Sequence, residues 1–153
     1  MSTASPRSTD RRSARTNVQK AALIVGVVFL LVGILGFVPG ITSNFGEMQF
    51  AGHESGSLLL GVFQVSILHN VVHLLFGVAG ILMARTVSGA RGYLIWGGVI
   101  YLVLWIYGLL IGHESMANFV PFNSADNWLH LVLGVVMVAL GLLLTRNRRT
   151  DAA

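Results

Sequence analysis

The sequence predicts an all-α integral membrane protein with four transmembrane helices, and three observations support this fold class. Of the 153 residues, 54% are hydrophobic and 10% are charged, whereas soluble domains carry about 25% charged residues. Four apolar stretches each approach the roughly 20 residues that a helix needs to cross a bilayer. They are Ala21–Val38, roughly Ser66–Ala84, Gly92–Ile111 and roughly Ala125–Leu144. Their apolar residues do not alternate with polar ones, which favours helices over barrel strands.

The basic residues predict how these helices are oriented. All ten lie before the first stretch, between the second and third, or after the fourth. They are Arg7, Arg11, Arg12, Arg15, Lys20, Arg85, Arg91, Arg146, Arg148 and Arg149. The positive-inside rule places that side in the cytoplasm, so we expect a multi-pass plasma-membrane protein with both termini cytoplasmic. Four of the six acidic residues lie on the opposite side, so the net charge of +4 does not indicate binding to nucleic acid.

Three parts are expected along the chain: a disordered basic cytoplasmic tail over residues 1–20, a four-helix transmembrane domain over 21–145 and a cytoplasmic tail over 146–153. The first apolar stretch is too long for the hydrophobic region of a cleaved signal peptide, so it is expected to remain. Before the second helix, Ser57–Ser66 is predicted to form a separate interfacial helix or an extension of that helix. The lack of cysteine excludes disulfides, thiolate metal sites and cysteine nucleophiles.

The two halves of the chain share motifs that indicate an internal repeat. The motif N-x-x-H-L-x-x-G-V occurs at residues 70–78 and 127–135, G-H-E-S at 52–55 and 112–115, and L-I-x-G at 23–26 and 94–97. Each half is therefore predicted to be a helical hairpin that enters and leaves on the same side. Two such hairpins would be related by a pseudo-two-fold axis along the membrane normal.

Polar residues of the second and fourth stretches form a candidate cluster in the outer half of the membrane. His73 and His130 each precede a glycine by four residues, on a stripe of small residues that should face the other helices. The full cluster is His69, Asn70 and His73 with Asp126, Asn127 and His130. Ionisable groups within a membrane span are costly, so by default they indicate a functional site.

Three interpretations of this cluster stay open at the level of sequence. In the structural one, Asn70, His73, Asn127 and His130 fix the helix interface through hydrogen bonds that average about 0.6 kcal/mol. In the cofactor one, His69, His73, Asp126 and His130 bind a divalent metal, or His73 and His130 are axial ligands of haem b in a redox protein. Bulky neighbours leave no evident space for the haem macrocycle. In the third, the cluster belongs to a path for protons or a small solute, or the histidines sense external pH or stress.

The repeated G-H-E-S motif favours a structural role over an enzymatic one. A serine nucleophile needs a base that the fold positions, and adjacent side chains on a helix diverge. Capping of a following helix by Ser55 or Ser124 is the simpler interpretation, and His53, Glu54, His113 and Glu114 are candidates for a surface divalent-ion site. We therefore expect a non-enzymatic protein. The lipid bilayer is its indicated partner, and a homo-oligomer or a membrane-protein partner stays open.

Several motifs together resemble a known family. They are G-H-E-S, H-N-V-V-H-L-L-F-G-V-A-G, N-F-V-P-F-N-S-A-D-N-W-L-H-L and G-x-x-x-Y-L-V-L-W-I-Y. In these the sequence resembles actinobacterial small membrane proteins of the domain of unknown function 4383 family, over about Val18–Arg146. The resemblance implies a plasma-membrane protein with four helices. It supplies no activity, substrate, cofactor or site residue.

Overall fold

The computed structural model describes residues 14–111, 115–121 and 123–146, and within these ranges it has four α-helices. They are α1 (Asn17–Leu35), α2 (Ile67–Met83), α3 (Val87–Leu110) and α4 (Ser124–Arg146). The remaining elements are one short 3₁₀ turn, Phe45–Glu47, and three strands of two residues each. The all-helical fold class is thus confirmed. The predicted tails up to residue 13 and beyond 146, and residues 112–114 of the second G-H-E-S motif, lie outside the described ranges.

Three of the helices are long and apolar enough to cross a membrane. These are α1, α3 and α4, with mean hydropathy between 1.9 and 2.4. The remaining helix, α2, is equally apolar but has only 17 residues. Its length is therefore about 26 Å at 1.5 Å per residue. Their length and composition support a protein embedded in a membrane.

Capping residues explain why α1 and α3 begin earlier than hydropathy predicts. At the start of α1, the Gln19 side chain accepts hydrogen bonds from the backbone N–H and the hydroxyl of Thr16. At the start of α3, the Thr86 hydroxyl accepts from the Gly89 N–H at 3.0 Å. The first residues of both helices include polar side chains, namely Asn17, Gln19 and Lys20 in α1 and Ser88 and Arg91 in α3, so an apolar window starts too late to include these turns.

The helices pack as two antiparallel pairs through glycine. A Cβ on Gly26 of α1 would lie 3.0 Å from the Gly77 carbonyl oxygen of α2. A Cβ on Gly98 of α3 would lie 2.8 Å from the Gly134 carbonyl oxygen of α4. Since real Cβ atoms do not approach backbone so closely, only glycine permits these separations. Close approach through small residues is how membrane helices associate without a hydrophobic drive between them.

Aromatic rings join the two pairs at the centre of the bundle. Phe29 of α1 stacks on Tyr101 of α3, with ring centroids 5.3 Å apart and planes inclined by 15°. Phe76 of α2 packs edge-on against both rings, at 5.2 Å and 5.6 Å. Phe29 and Tyr101 are buried, so this contact forms the core between α1 and α3.

The two ends of the bundle differ in their connections. At the terminal end, which holds the start of α1 and the α2–α3 turn, the Gln19 amide donates to the carbonyls of Ala84 and Arg85 at 3.1 and 3.0 Å. At the loop end, which holds the α1–α2 and α3–α4 connections, the Gly52 N–H donates to the Phe119 carbonyl at 2.7 Å. The two loops are therefore attached to each other.

The prediction of a helix over Ser57–Ser66 is wrong. This segment forms a hairpin of β2 (Leu58–Leu59) and β3 (Phe63–Gln64), and β2 also pairs with β1 (Thr42–Ser43). The turn places Leu60 and Gly61 at φ angles of +55° and +70°, which are incompatible with a right-handed helix. The apolar character of this segment favoured a helix, although Gly61 at its centre forms a turn.

Candidate functional site

The predicted histidines meet at one cavity near the loop end, here called the histidine cavity. It has a volume of about 100 Å³ and is lined by His69 and His73 of α2 and by Asp126 and His130 of α4. Apolar side chains of α1, α4 and the β2–β3 hairpin complete the lining; they are Val32, Leu59, Leu60, Phe63, Val65, Leu129 and Leu133. All three imidazoles are at least 93% buried. The β2–β3 hairpin covers this cavity and is called the cap below, whereas residues that cap a helix are called helix caps.

His69 is positioned by the start of α2 and by the hairpin. Its backbone N–H donates to the Ser66 hydroxyl at 3.1 Å, which caps the helix. Its ring lies close to the backbone of Gln64 in β3. Its Nδ1 is buried and has no hydrogen-bond partner within the described ranges. The hairpin and the first imidazole are thus neighbours.

His73 has a defined orientation and a defined proton position. Its Nδ1 lies 3.0 Å from the carbonyl oxygen of His69, one turn earlier in α2. A carbonyl oxygen only accepts, so Nδ1 carries the proton and Nε2 keeps a lone pair in the neutral ring. The centroids of the His69 and His73 rings are 4.5 Å apart, so the two imidazoles are in contact.

His130 approaches the same place from α4. Its ring lies 5.2 Å from Tyr101, and the His73 ring lies 5.5 Å from Phe29. His130 is close enough to interact electrostatically with His73, and His69 with both. Each ring of the stacked pair therefore contacts one imidazole: Phe29 contacts His73, and Tyr101 contacts His130.

Asp126 connects α4 to the cap. Its Oδ2 accepts hydrogen bonds from the backbone N–H of Gln64 at 3.0 Å and of Asn123 at 3.2 Å. Asn123 Oδ1 accepts in return from the Asp126 N–H at 2.9 Å, so Asn123 and Asp126 form a reciprocal cap on α4. The Asn123 amide also donates to the Val62 carbonyl in the hairpin turn at 2.7 Å. Asp126 thus acts as a helix cap and a loop anchor.

The two asparagines lie beside the histidine cavity but do not line it. The Asn70 amide occupies the place that a Cβ would take on Gly36, the residue that follows α1, and the Asn127 amide occupies the equivalent place at Gly108 of α3. Both side chains are almost completely buried. Each asparagine thus fills the gap that a glycine leaves opposite it, within one hairpin.

The geometry of the cavity limits which ligands it can accept. A volume of about 100 Å³ holds about three water molecules at about 30 Å³ each. Haem does not fit, because the region of His73 and His130 is filled by Phe29 and Tyr101. Within the described ranges, no three histidine or carboxylate side chains are arranged to hold one metal ion.

The first G-H-E-S motif organises the long loop. Ser55 is fully buried; its hydroxyl donates to the Val65 carbonyl at 2.6 Å and accepts from the Gln49 N–H at 3.2 Å. The predicted capping by Ser55 or Ser124 is wrong: Ser66 caps α2, and Asn123 caps α4. The His53 carbonyl accepts from the Gln64 amide at 2.9 Å.

Sequence reasoning missed several residues of the site. Gln64 lies in the segment that was expected to be helical. Phe29 and Tyr101 lie in apolar stretches, where nothing in the sequence distinguishes them from other residues that pack in the core. For Asn123 a signal exists, because Asn followed three residues later by Asp, before an apolar run, is a capping pattern.

Comparison with known proteins identifies the family. A family model described as domain of unknown function (DUF4383) matches residues 19–143. The chain belongs to the DUF4383 family. The DUF4383 match extends from the first turn of α1 to the last turn of α4 and includes the whole histidine cavity. No curated protein and no solved structure matches the chain.

Proposed function

We propose that the chain is a non-enzymatic integral membrane protein in which the histidine cavity fixes the junction of two equivalent hairpins and responds to acidification on the side of the loops. One observation carries the proposal: three imidazoles from two helices and one carboxylate line a single small cavity beneath the cap. The proposal has three parts, namely the equivalence of the hairpins, their placement in the membrane and the effect of protonation.

The equivalence of the hairpins is supported by contacts that recur at a constant sequence offset. Gly26 meets Gly77 and Ile81, while Gly98 meets Gly134 and Val138. Phe29 meets His73, and Tyr101 meets His130. Helices α1 and α3 are then offset by 72 residues and α2 and α4 by 57. The repeated L-I-x-G letters differ from this register by one residue, because they equate Gly26 with Gly97.

The placement in the membrane follows from pairing and charge. Since α2 packs against α1 through Gly26 and Gly77, we propose that it forms the fourth crossing, at the short end of the range for spans. The described basic residues lie at the terminal end and the described acidic residues at the loop end. By the positive-inside rule the terminal end is cytoplasmic and the cap faces outward.

Protonation of the cavity should weaken the packed arrangement. The titratable groups that face it are His69, His73, His130 and Asp126, and Tyr101 contacts His130 from α3. A first proton on an imidazole can be balanced by an ionised Asp126. A second would leave an uncompensated charge among buried imidazoles, and such a charge is costly. In the unfolded chain the histidines take up protons as the pH falls below about 6.5, whereas the packed cavity takes up a second proton only at high cost. The packed arrangement should therefore lose stability as the external pH falls below that value.

The test is thermal unfolding of the protein in lipid nanodiscs at pH 8 and pH 5. We expect the wild type to lose stability at pH 5, by roughly 2–4 °C for each 1 kcal/mol at this chain length. The double variant with His73→Gln and His130→Gln should lose most of that pH dependence, because glutamine keeps polar atoms but takes up no proton. His53→Gln is the matched control: His53 lies in the loop outside the cavity lining, and this variant should behave as the wild type. Equal unfolding temperatures of the wild type at both pH values would refute pH sensing.

A further inference from the structure

A second surface feature lies at the opposite end of the molecule, on α3. A cleft of about 340 Å³ is lined by Ser88, Arg91, Gly92, Ile95 and Trp96. It is independent of the histidine cavity. Trp96 is 69% exposed, so in a membrane this face of α3 meets lipid rather than another helix of the chain.

The cleft exists because glycine interrupts a row of larger side chains. Ser88, Gly92 and Trp96 are spaced by four residues and so follow one another along one face of α3. A Cβ on Gly92 would meet only the Met83 Cε, at 3.8 Å, so the gap at Gly92 is not filled from α2. The result is a notch with a polar rim on one side and an apolar wall on the other.

Among the described residues, the polar rim carries a positive charge with no acidic side chain at the same end of the molecule. The Arg91 side chain is exposed, and Arg15, Lys20 and Arg85 also lie at this terminal end. The acidic residues of the described ranges are Glu47, Glu54 and Asp126, all at the loop end. A phosphate is therefore the complementary group for Arg91, and an arginine guanidinium matches phosphate geometry well.

The position of the notch along the membrane normal suits a lipid better than a free anion. The predicted span Gly92–Ile111 begins one residue after Arg91, which puts this arginine at the boundary between headgroups and hydrocarbon. At 1.5 Å per residue, Trp96 then lies about 6 Å inside the hydrocarbon, at the level of the acyl chains. One ligand with a phosphate and an acyl chain would contact both ends of the notch.

We propose that this notch binds the phosphate of an anionic phospholipid, with Arg91 and the Ser88 hydroxyl at the headgroup and with Ile95 and Trp96 along the acyl chain. Gly92 provides the space between them. The proposal needs the protein to be embedded in a membrane, but it does not depend on the role of the histidine cavity.

The experiment measures quenching of Trp96 fluorescence by brominated lipids in nanodiscs. Trp105→Phe and Trp128→Phe leave Trp96 as the single tryptophan, and circular dichroism checks that this background folds. A small fraction of brominated phosphatidylglycerol in phosphatidylcholine should quench Trp96 more strongly than the same fraction of brominated phosphatidylcholine. Arg91→Gln should lower that preference about fivefold, the factor that corresponds to about 1 kcal/mol for one basic residue near an anionic surface.

Two further variants and the addition of inorganic phosphate test whether the lipid preference depends on this notch. Lys20→Gln removes the same charge at the same end but on α1, and it should keep the preference. Gly92→Leu keeps Arg91 but fills the notch, and it should lower the preference. Equal quenching by the two brominated lipids, or an equal loss in the Lys20→Gln control, overturns the proposal. Loss of the preference when inorganic phosphate is added would show that the notch takes free phosphate, which overturns the assignment to a lipid.

Discussion

Phe29 of α1 and Tyr101 of α3 stack nearly parallel, with centroids 5.3 Å apart, and each ring also contacts one histidine of the cavity. The contact joins the two helix pairs at the level of His73 and His130. The aromatic pair therefore packs against both imidazoles, and we expect that removing either ring disturbs the packing of His73 and His130.

The first prediction concerns the coupling between these two rings. A double-mutant cycle with Phe29→Leu and Tyr101→Leu should give a coupling free energy of about 0.5–1.5 kcal/mol, the range for aromatic pairs. Unfolding by denaturant in mixed micelles measures it. Val27→Ala with Trp128→Leu is the control cycle, since both residues are exposed on different helices, and it should be additive within about 0.5 kcal/mol. Additivity at Phe29 and Tyr101 would contradict a direct interaction.

The second prediction tests the glycine contacts within each hairpin. Gly26→Ala and Gly98→Ala should each destabilise the protein by about 1–3 kcal/mol, as overpacking does, because the new methyl group would meet backbone atoms at 2.9–3.0 Å and 2.8–2.9 Å. If the hairpins are equivalent, the two losses should be similar. The free energy of unfolding measures them, and Val27→Ala on the lipid-facing side of α1 is the control. A large loss at one site with none at the other would argue against equivalence.

The helices were predictable because the bilayer imposes a simple condition on them. A helix in contact with lipid must be apolar over its length, so hydropathy alone located α2 to within one residue at each end, Ile67–Met83 against the predicted Ser66–Ala84. The same signal was blind to the polar first turns of α1 and α3, which depend on caps at Thr16 and Thr86. Caps are local patterns, and hydropathy windows average over them.

The cap over the cavity was not predictable from hydropathy. The hairpin around Gly61 and the alternative helix have the same composition, so the apolar run does not distinguish them. Its position depends on the bond between Gln64 and Asp126, which are 62 residues apart in sequence. A contact of that range leaves no periodic signal in a single sequence. His69, His73, Asp126 and His130, in contrast, line one cavity, and their helical spacing together with the repeated motif indicates facing positions on α2 and α4.

The third prediction addresses the asparagine contacts. Gly36→Ala and Gly108→Ala should displace the amides of Asn70 and Asn127, since each amide occupies the position of the added methyl group. We expect a loss of about 1–3 kcal/mol at each site, the usual cost of overpacking. Adding Asn70→Ala to Gly36→Ala should then cost little more, because the contact is already lost. Gly46→Ala, which meets no atom within 4 Å, is the control in the same unfolding assay. Full additivity of Gly36→Ala and Asn70→Ala would show that the amide does not depend on the glycine.

The fourth prediction concerns the attachment of the cap to α4. Asn123→Ala removes both the bond to the Val62 carbonyl and the side-chain cap that accepts from the Asp126 N–H. Loss of a helix cap costs about 0.5–2 kcal/mol, and here we expect the effect to be local, because the helix pairs are held by contacts far from this residue. Backbone amides of residues 57–66 should therefore exchange faster with deuterium, whereas those of α1 should not change. Asn44→Gly is the matched control: Asn44 has a φ of +49°, which glycine adopts without strain, and its amide contacts the Gly56 carbonyl in the same loop without reaching α4. If Asn123→Ala leaves the exchange of 57–66 unchanged, the Asn123 side chain does not hold the cap, and the attachment of the cap to α4 depends on the bond between Gln64 and Asp126 instead.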